Sequence, residues 1–278
     1  MTIKRILAIH DLSGFGHTSL LAAVPIFYRM GIEVAVLPTA LLSANTDHPG
    51  YSSQDTYSFM HQSLRHWLRL ELQFDAVYSG FLGSETQVEL LQQYIPLLAK
   101  PGAPVLVDPV LGDNGRLYEC YTKNMIPAMR SLVGISSIIT PNLSELAFLL
   151  GLSLPVLDLP GGCQSLSLSG PAEIIVTSAP AAEGGNSSVL YYNRSTDRFT
   201  EFACQYEPID YPGAGDCFAS MFLAGLLNGF STEMSIKGSI RFLKEAFSRS
   251  LDLVEDRRSG IALAAALRED PYKWFVNE

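Results

Sequence analysis

Short runs of β-branched and apolar residues alternate along this chain with longer segments whose apolar positions recur at helical spacing. Ile3 to Ile9, Glu33 to Leu37, Asp75 to Tyr78, Val105 to Val107, Ser137 to Thr140 and Glu173 to Thr177 read as buried strands, since a short continuous apolar run fits a strand covered on both faces. Between them, Thr18 to Met30, Gln54 to Leu72, Ser84 to Leu98 and Asn142 to Leu150 predict helices, with Gly31 and Gly151 where C-cap residues belong. Alternation of this kind builds βαβ units, and so an α/β fold of three layers with a mostly parallel central sheet and helices on both faces. Ligands of such folds bind at the carboxyl ends of the strands. From Ser187 to Phe202 polar and aromatic residues alternate, which predicts a hairpin; Tyr206 to Gly215 follows as a loop. Thereafter the pattern is helical over Ala214 to Leu227, Glu233 to Leu251 and Gly260 to Leu267. The segment Ser153 to Gly170 is rich in Leu, Pro and Gly without a clear period, and no element is assigned to it.

No internal repeat and no linker composition interrupts the 278 residues, so residues 1–278 are read as a single domain. Hydrophobic residues make up 47% and charged residues 17%, against a usual charged share of about 25%, which excludes a disordered chain. The net charge of −9 argues against nucleic acid or an anionic membrane as partner. It also means that any phosphate the protein handles must meet positive potential locally, at helix N-termini and a bound cation. Cys120, Cys163, Cys204 and Cys217 lie far apart without a CxxC pair, as expected of reduced thiols in a cytoplasmic protein rather than a zinc site. The apolar run at the amino terminus is too short for a signal peptide, and the longest apolar stretch, Cys217 to Leu227, falls well short of the ~20 residues that span a bilayer.

Three segments carry candidate chemistry. Pro212-Gly213-Ala214-Gly215-Asp216 runs directly into an apolar helix. Glycines allow close backbone approach, and a helix start offers amide N–H groups and a positive dipole end. A carboxylate at that mouth, Asp216, is placed to accept a proton from an attacking hydroxyl while the amides of Ala214, Gly215 and Asp216 hold developing phosphoryl charge. The same letters also spell an ordinary turn and helix start. Asp108-Pro109-Val110-Leu111-Gly112-Asp113 ends a predicted strand with two carboxylates that suit a hydrated Mg²⁺ ion, or simply a polar turn. Thr140-Pro141-Asn142-Leu143-Ser144-Glu145 places Asn142 and Glu145 at capping-box spacing, compatible with both capping and coordination.

Together with Ser-Gly-Phe-Leu-Gly-Ser at 79 to 84 and Ile-Val-Thr-Ser at 175 to 178, these motifs occur in the order and spacing of the pyridoxal kinases of the ribokinase superfamily, from about Ile6 to Leu226. The chain resembles that family, which implies a three-layer ribokinase-like α/β fold without a separate lid domain, and a homodimer. It further implies ATP-dependent phosphorylation of the hydroxymethyl group of a B6 vitamer, with Mg²⁺ and optionally a monovalent cation as cofactors. By resemblance, Asp216 is the catalytic base and Gly213 to Gly215 the anion hole. Asp108, Asp113, Asn142 and Glu145 form the magnesium and phosphate region, with Asp108 and Glu145 toward the metal. Thr177 and Ser178 contact the nucleotide.

The first-strand loop, His10-Asp11-Leu12-Ser13-Gly14-Phe15-Gly16-His17, is where the resemblance places the ring of the substrate. Asp11, Ser13 and Phe15 are candidates there, joined by Thr46, which matches a pocket threonine of the family, and Phe81, at a ring-stacking position. Asp11 stands where pyridoxal kinases carry a serine, and Asp-x-Ser-Gly is similar instead to the hydroxymethylpyrimidine kinases of thiamine synthesis, the alternative activity. Asp11 is expected to face a ring nitrogen, or else to cap a turn. His10 and His17 lack a second ligand at metal-binding spacing and read as pocket walls or satisfied loop residues; Cys217 reads as a buried helix cysteine. From a different class, a non-catalytic nucleotide-binding module would have no need of a positioned base.

Overall fold

The computed structural model describes residues 3–156, 158–179, 187–204 and 211–276. In chain order the first elements are β1 (Arg5–Ser13), α1 (Ser19–Arg29), β2 (Glu33–Leu42), β3 (Ser53–Asp55), α2 (Tyr57–Arg69), β4 (Ala76–Ser79), α3 (Glu85–Leu98) and β5 (Val105–Val107). Then come β6 (Gly112–Asp113), β7 (Arg116–Leu117), α4 (Met125–Val133), β8 (Ile138–Ile139), α5 (Leu143–Leu150), α6 (Leu159–Ser167) and β9 (Glu173–Ala179). The series ends with β10 (Ser188–Asn193), β11 (Arg198–Ala203), α7 (Ala214–Leu227), α8 (Thr232–Leu253) and α9 (Leu263–Ala266). These elements pack as two compact units, Met1–Thr56 with Cys204–Glu278, and Tyr57–Ala203.

In the first unit β1 and β2 pair in parallel, and β3 adds antiparallel to β2. Ile6, Leu7, Ala8 and Ile9 are all fully buried, and α1 lays Leu20, Ala22, Ala23, Ile26 and Phe27 into the same core. Helix α7 is apolar all round, buried continuously from Cys217 to Gly225, and packs against α1 and α8. A helix of that composition is held by burial on every side. At about 1.5–3 kcal/mol for each large side chain removed from water, packing rather than capping fixes α7, so its first turn is a rigid platform. The register of β1 on β2 shifts between His10 and Leu12. A bulge there breaks the strict alternation of side chains, and His10, Asp11 and Ser13 are all buried as a result.

The second unit orders its strands β11-β10-β9-β8-β5-β4. The pairs β4 with β5, β5 with β8 and β8 with β9 are parallel, whereas β10 and β11 form the expected hairpin, antiparallel to each other and to β9. The α/β architecture with a mostly parallel sheet is therefore present as the periodicity predicts. Helix α5 packs on β9 and on the small β6–β7 ribbon.

Several boundaries differ from expectation. The expected helix from Gln54 begins only at Tyr57, because Ser53–Asp55 pairs its backbone with Ala40–Leu42 as β3. The expected helix over Gly260 to Leu267 shrinks to Leu263–Ala266, preceded by a 3₁₀ turn at Arg257–Ser259 that ends on Gly260 at φ +83°. Helix α6 lies inside the unassigned segment, where Asp158 caps it by accepting from the Gly161 amide. Of the expected loop Tyr206 to Gly215, residues 206–210 lie outside the described residues. No helix among the described residues is long and apolar enough to cross a membrane.

Candidate functional site

Helix α7 starts on Gly213, whose φ of +84° places it in the left-handed region, and no side chain caps the helix start. A Cβ at Gly213 would collide with the backbone carbonyl of His17. The motif's first glycine is thus required twice, by conformation and by close approach. The Ala214 amide donates to the carbonyl of Tyr211 at 3.2 Å, so Ala214 closes the turn and its amide is already engaged. Gly215 is exposed there. Gly213→Ala is expected to cost on the order of 1–3 kcal/mol of stability, read as a lowered urea midpoint. Gly102 shares a positive φ of +75° but has nothing near its missing Cβ, so Gly102→Ala should cost less. Equal losses would mean that the approach to His17 carries no weight.

Asp216, in the first turn of α7, is engaged on both oxygens. Oδ1 lies 2.8 Å from His10 Nε2, and Oδ2 accepts from the Ser19 backbone amide at 2.6 Å. Ser19 opens α1 at φ +55°, and Thr18, its N-cap residue, makes no capping bond with its own side chain. The carboxylate of α7 thereby caps α1, which ties two helix starts to one group. The Thr18 hydroxyl is buried with no hydrogen-bond partner among the described residues.

Below Asp216 the bulge of β1 brings His10 and Asp11 side to side. His10 Nδ1 is 2.9 Å from Asp11 Oδ1, and the Ser13 hydroxyl donates to Asp11 Oδ2 at 2.9 Å. Burial opposes charge on His10, yet the attraction of Asp216 and the hydrogen bonds of Asp11 and Asp216 outweigh it and raise its pKa to about 10. Burial likewise opposes ionisation of Asp11, and the hydrogen bond and charge of His10 outweigh it, so that the Asp11 pKa is lowered. Asp11 and Ser13 thus gather around His10 and Asp216. Phe15 is exposed and sits edge-on to His48 at 5.4 Å, while Thr46 lies exposed in the adjacent turn. The loops are latched from behind: His17 donates its amide to the Ser259 carbonyl, and the Asn45 side chain donates to the Arg258 carbonyl.

In the second unit, Asn142 caps α5 in a complete capping box: its side chain accepts from the Glu145 amide at 2.9 Å, and Glu145 Oε2 accepts from the Asn142 amide at 2.8 Å. Glu145 Oε1 also accepts from the Leu111 amide, and the Asn142 side chain donates to the Gly112 carbonyl. These bonds draw the Asp108 loop and the start of α5 into one group. Burial pushes the Glu145 pKa well up, and the charge of Asp108 adds to the rise. A buried acid pair of this kind is balanced by a proton on one member or by a cation. Among the described residues no three His, Cys, Asp or Glu side chains stand close enough to ligate a metal. Asp113 is exposed at the ribbon turn, where it accepts from the Asn114 amide. Asn114 and Gly115 have positive φ, as the Asn-Gly hairpin signal predicts; that signal was available in the sequence and identifies a ribbon the periodicity does not. Thr177 is bonded through its amide to the Pro141 carbonyl and Ser178 is exposed at φ +57°. Phe81 stacks on Tyr121 at 5.7 Å, with the Tyr121 hydroxyl donating to the Leu82 carbonyl.

The family model of the phosphomethylpyrimidine kinases matches residues 22–259. A Bacteroides thetaiotaomicron protein assigned as a phosphomethylpyrimidine kinase, with a crystal structure containing pyridoxal, is 38% identical. It superposes with a TM-score of 0.92 over 96% of this chain and 95% of its own. The pyridoxal kinase of Lactobacillus plantarum is 27% identical with a TM-score of 0.89, covering 96% of each chain. The pyridoxine/pyridoxal/pyridoxamine kinase of Bordetella avium is 28% identical over 84% of this chain and 81% of its own.

Proposed function

The chain belongs to the phosphomethylpyrimidine kinase family, and from that membership we propose that it transfers the γ-phosphoryl group of ATP to the hydroxymethyl oxygen of a B6 vitamer. The observation that carries the reading is Asp216, a carboxylate held on the first turn of a rigid helix that opens on a close-packed left-handed glycine. Asp216 takes the hydroxyl proton as the new O–P bond forms and the bond to the β-phosphate oxygen breaks, leaving ADP and the phosphate ester. Backbone amides at the start of α7 receive the charge on the transferred group. The vitamer reading is favoured over hydroxymethylpyrimidine by the pyridoxal-containing relative and by the curated pyridoxal kinases.

In the second unit, Asp108 and Glu145 would hold a hydrated Mg²⁺, with Asp113 and Asn142 beside the phosphates and Thr177 with Ser178 toward the nucleotide. When bound, that ion neutralises the triphosphate. Its charge would also return Glu145 to the carboxylate form that burial and Asp108 disfavour. Ser13, Phe15 and Thr46, all of the first unit, are proposed as ring contacts, and a homodimer and a cytoplasmic location are proposed with them.

The test compares kcat/KM for pyridoxal, pyridoxamine, pyridoxine and hydroxymethylpyrimidine, with and without Mg²⁺. The expected result is Mg²⁺-dependent turnover with at least one vitamer leading. A lead for hydroxymethylpyrimidine of tenfold or more would reassign the substrate, and turnover of a sugar alone would remove the reading.

A further inference from the structure

We propose that His10 is a positioning residue charged at neutral pH, an imidazolium clamped between Asp11 and Asp216 that fixes the Asp216 carboxylate. The proposal rests on the reading of Asp216 as the base. His10 comes from β1 and Asp216 from α7, 206 positions later in the chain, yet the two ring nitrogens of His10 reach one carboxylate each, at 2.9 Å and 2.8 Å. His10 is 2% exposed and Asp11 4%. Water is therefore excluded from most of the arrangement, and its charges must be balanced within it.

The protonation state follows from geometry. The Asp11 backbone amide also lies 3.0 Å from His10 Nδ1, which would suit a neutral ring with its proton on Nε2 and a lone pair on Nδ1. In that tautomer the lone pair would face Asp11 Oδ1 across 2.9 Å, with two acceptors in contact and no proton between them. A proton on both nitrogens gives each carboxylate a donor but sets Nδ1–H beside the Asp11 amide, and the raised His10 pKa shows that the two carboxylates outweigh that one contact. The other groups against the ring agree. On its own strand the charged neighbour is Asp11, and Ser13 donates to Asp11. On α7 it is Asp216, followed by Cys217, whose thiol is held neutral by burial and by the Asp216 charge. On β2 the residue paired with His10 is Pro38, which carries no charge. Of the two carboxylates on the ring, Asp216 is the one proposed to take up the substrate proton.

The arrangement also explains what Asp11 does. One of its oxygens serves His10 and the other Ser13, and the Ser19 side chain of α1 bonds to it as well, so it acts on the reaction through His10 and is a positioning residue itself. This differs from the expectation that it faces a ring nitrogen of the substrate.

The test has two arms. In the first, the protein carrying ¹⁵N-histidine is titrated by NMR, with His10 assigned by its loss in His10→Gln. Both ring nitrogens are expected to stay protonated through pH 8, and Asp216→Asn should bring the titration of His10 down by at least one pH unit. A neutral His10 at pH 7 overturns the proposal whatever the activity. In the second arm, His10→Gln, which retains a donor but not the charge, is assayed with the preferred vitamer. With the carboxylate no longer held in place, kcat should fall about tenfold or more while KM for ATP changes less than threefold. An unchanged kcat in His10→Gln overturns the positioning role even where Asp216→Asn is inactive. Should the parent protein phosphorylate no vitamer, the substrate reading fails, and the proposal is decided by whether Asp216→Asn shifts the His10 titration.

Discussion

Asp216→Asn is expected to lower kcat for vitamer phosphorylation by about 10²–10⁴-fold, the usual contribution of a positioned general base. The Kd for ATP should stay within a few-fold, because the proposed nucleotide contacts lie on other residues. The structure adds a second consequence. Asp216 accepts from two donors, His10 Nε2 and the Ser19 amide, whereas asparagine offers one oxygen and turns an NH₂ group toward the other donor. One buried donor is left facing a donor, at a cost of about 1–3 kcal/mol. The variant should therefore fold with a lowered urea midpoint, and Asp216→Ala should lose both acceptors and more stability. Circular dichroism and a nucleotide titration separate the effects: a folded, ATP-binding Asp216→Asn protein with parental kcat would remove Asp216 from the chemistry.

Legibility in the sequence followed the range of the physics involved. Strand β5 and helix α7 were read at their observed limits, Val105–Val107 and Ala214–Leu227, because continuous burial writes an apolar run that no neighbour can reverse. The capping box at Asn142 and Glu145 was legible for a similar reason, being contained within four residues. Where tertiary pairing decides, local pattern fails: Ser53–Asp55 joins β2 although its letters continue into a helical segment. In α6, Pro160, Gly161 and Gly162 dilute the period, and the cap at Asp158 was the remaining signal.

The candidate site divides along the same line. The motifs at 108–113, 140–145 and 212–216 were found by their spacing. His10 reads from the sequence as a pocket wall or a satisfied loop residue, because spacing along the chain cannot show a partner 206 residues distant. Asp11 stands out in the sequence as unusual, with a substrate ring or a turn as its expected partner, and the structure adds the neighbouring imidazole. A histidine followed directly by an acid at the end of a buried strand, with a second acid at a glycine-opened helix, is the pattern that would have linked them.

That linkage makes stability itself a readout of the buried charge. The His10 pKa is raised from 6.5 to about 10, so the folded protein holds this proton more tightly than the unfolded chain does. For a group raised on folding, the stabilisation is complete below the unfolded pKa and disappears as pH climbs through the folded one. Unfolding free energy should then fall between about pH 7 and pH 10, by up to ~1.4 kcal/mol per pH unit and on the order of 5 kcal/mol across the window. Asp11 works in the opposite direction: its pKa is lowered, so its stabilisation is present at neutral pH and lost on acidification. The two together place the optimum near neutrality. Glu145, raised by burial and by Asp108, contributes a decline that begins lower, above the ordinary range of glutamate. Urea denaturation of the parent and of His10→Gln at half-unit steps from pH 6 to pH 10 isolates His10, since thiol, phenol, lysine and Glu145 titrations are common to both. The stability gap between the two proteins should be widest near pH 6 to 7 and close as pH 10 is approached. Parallel curves over that range would mean that the ring is neutral in the folded protein, and the charge between Asp11 and Asp216 would have to be given up.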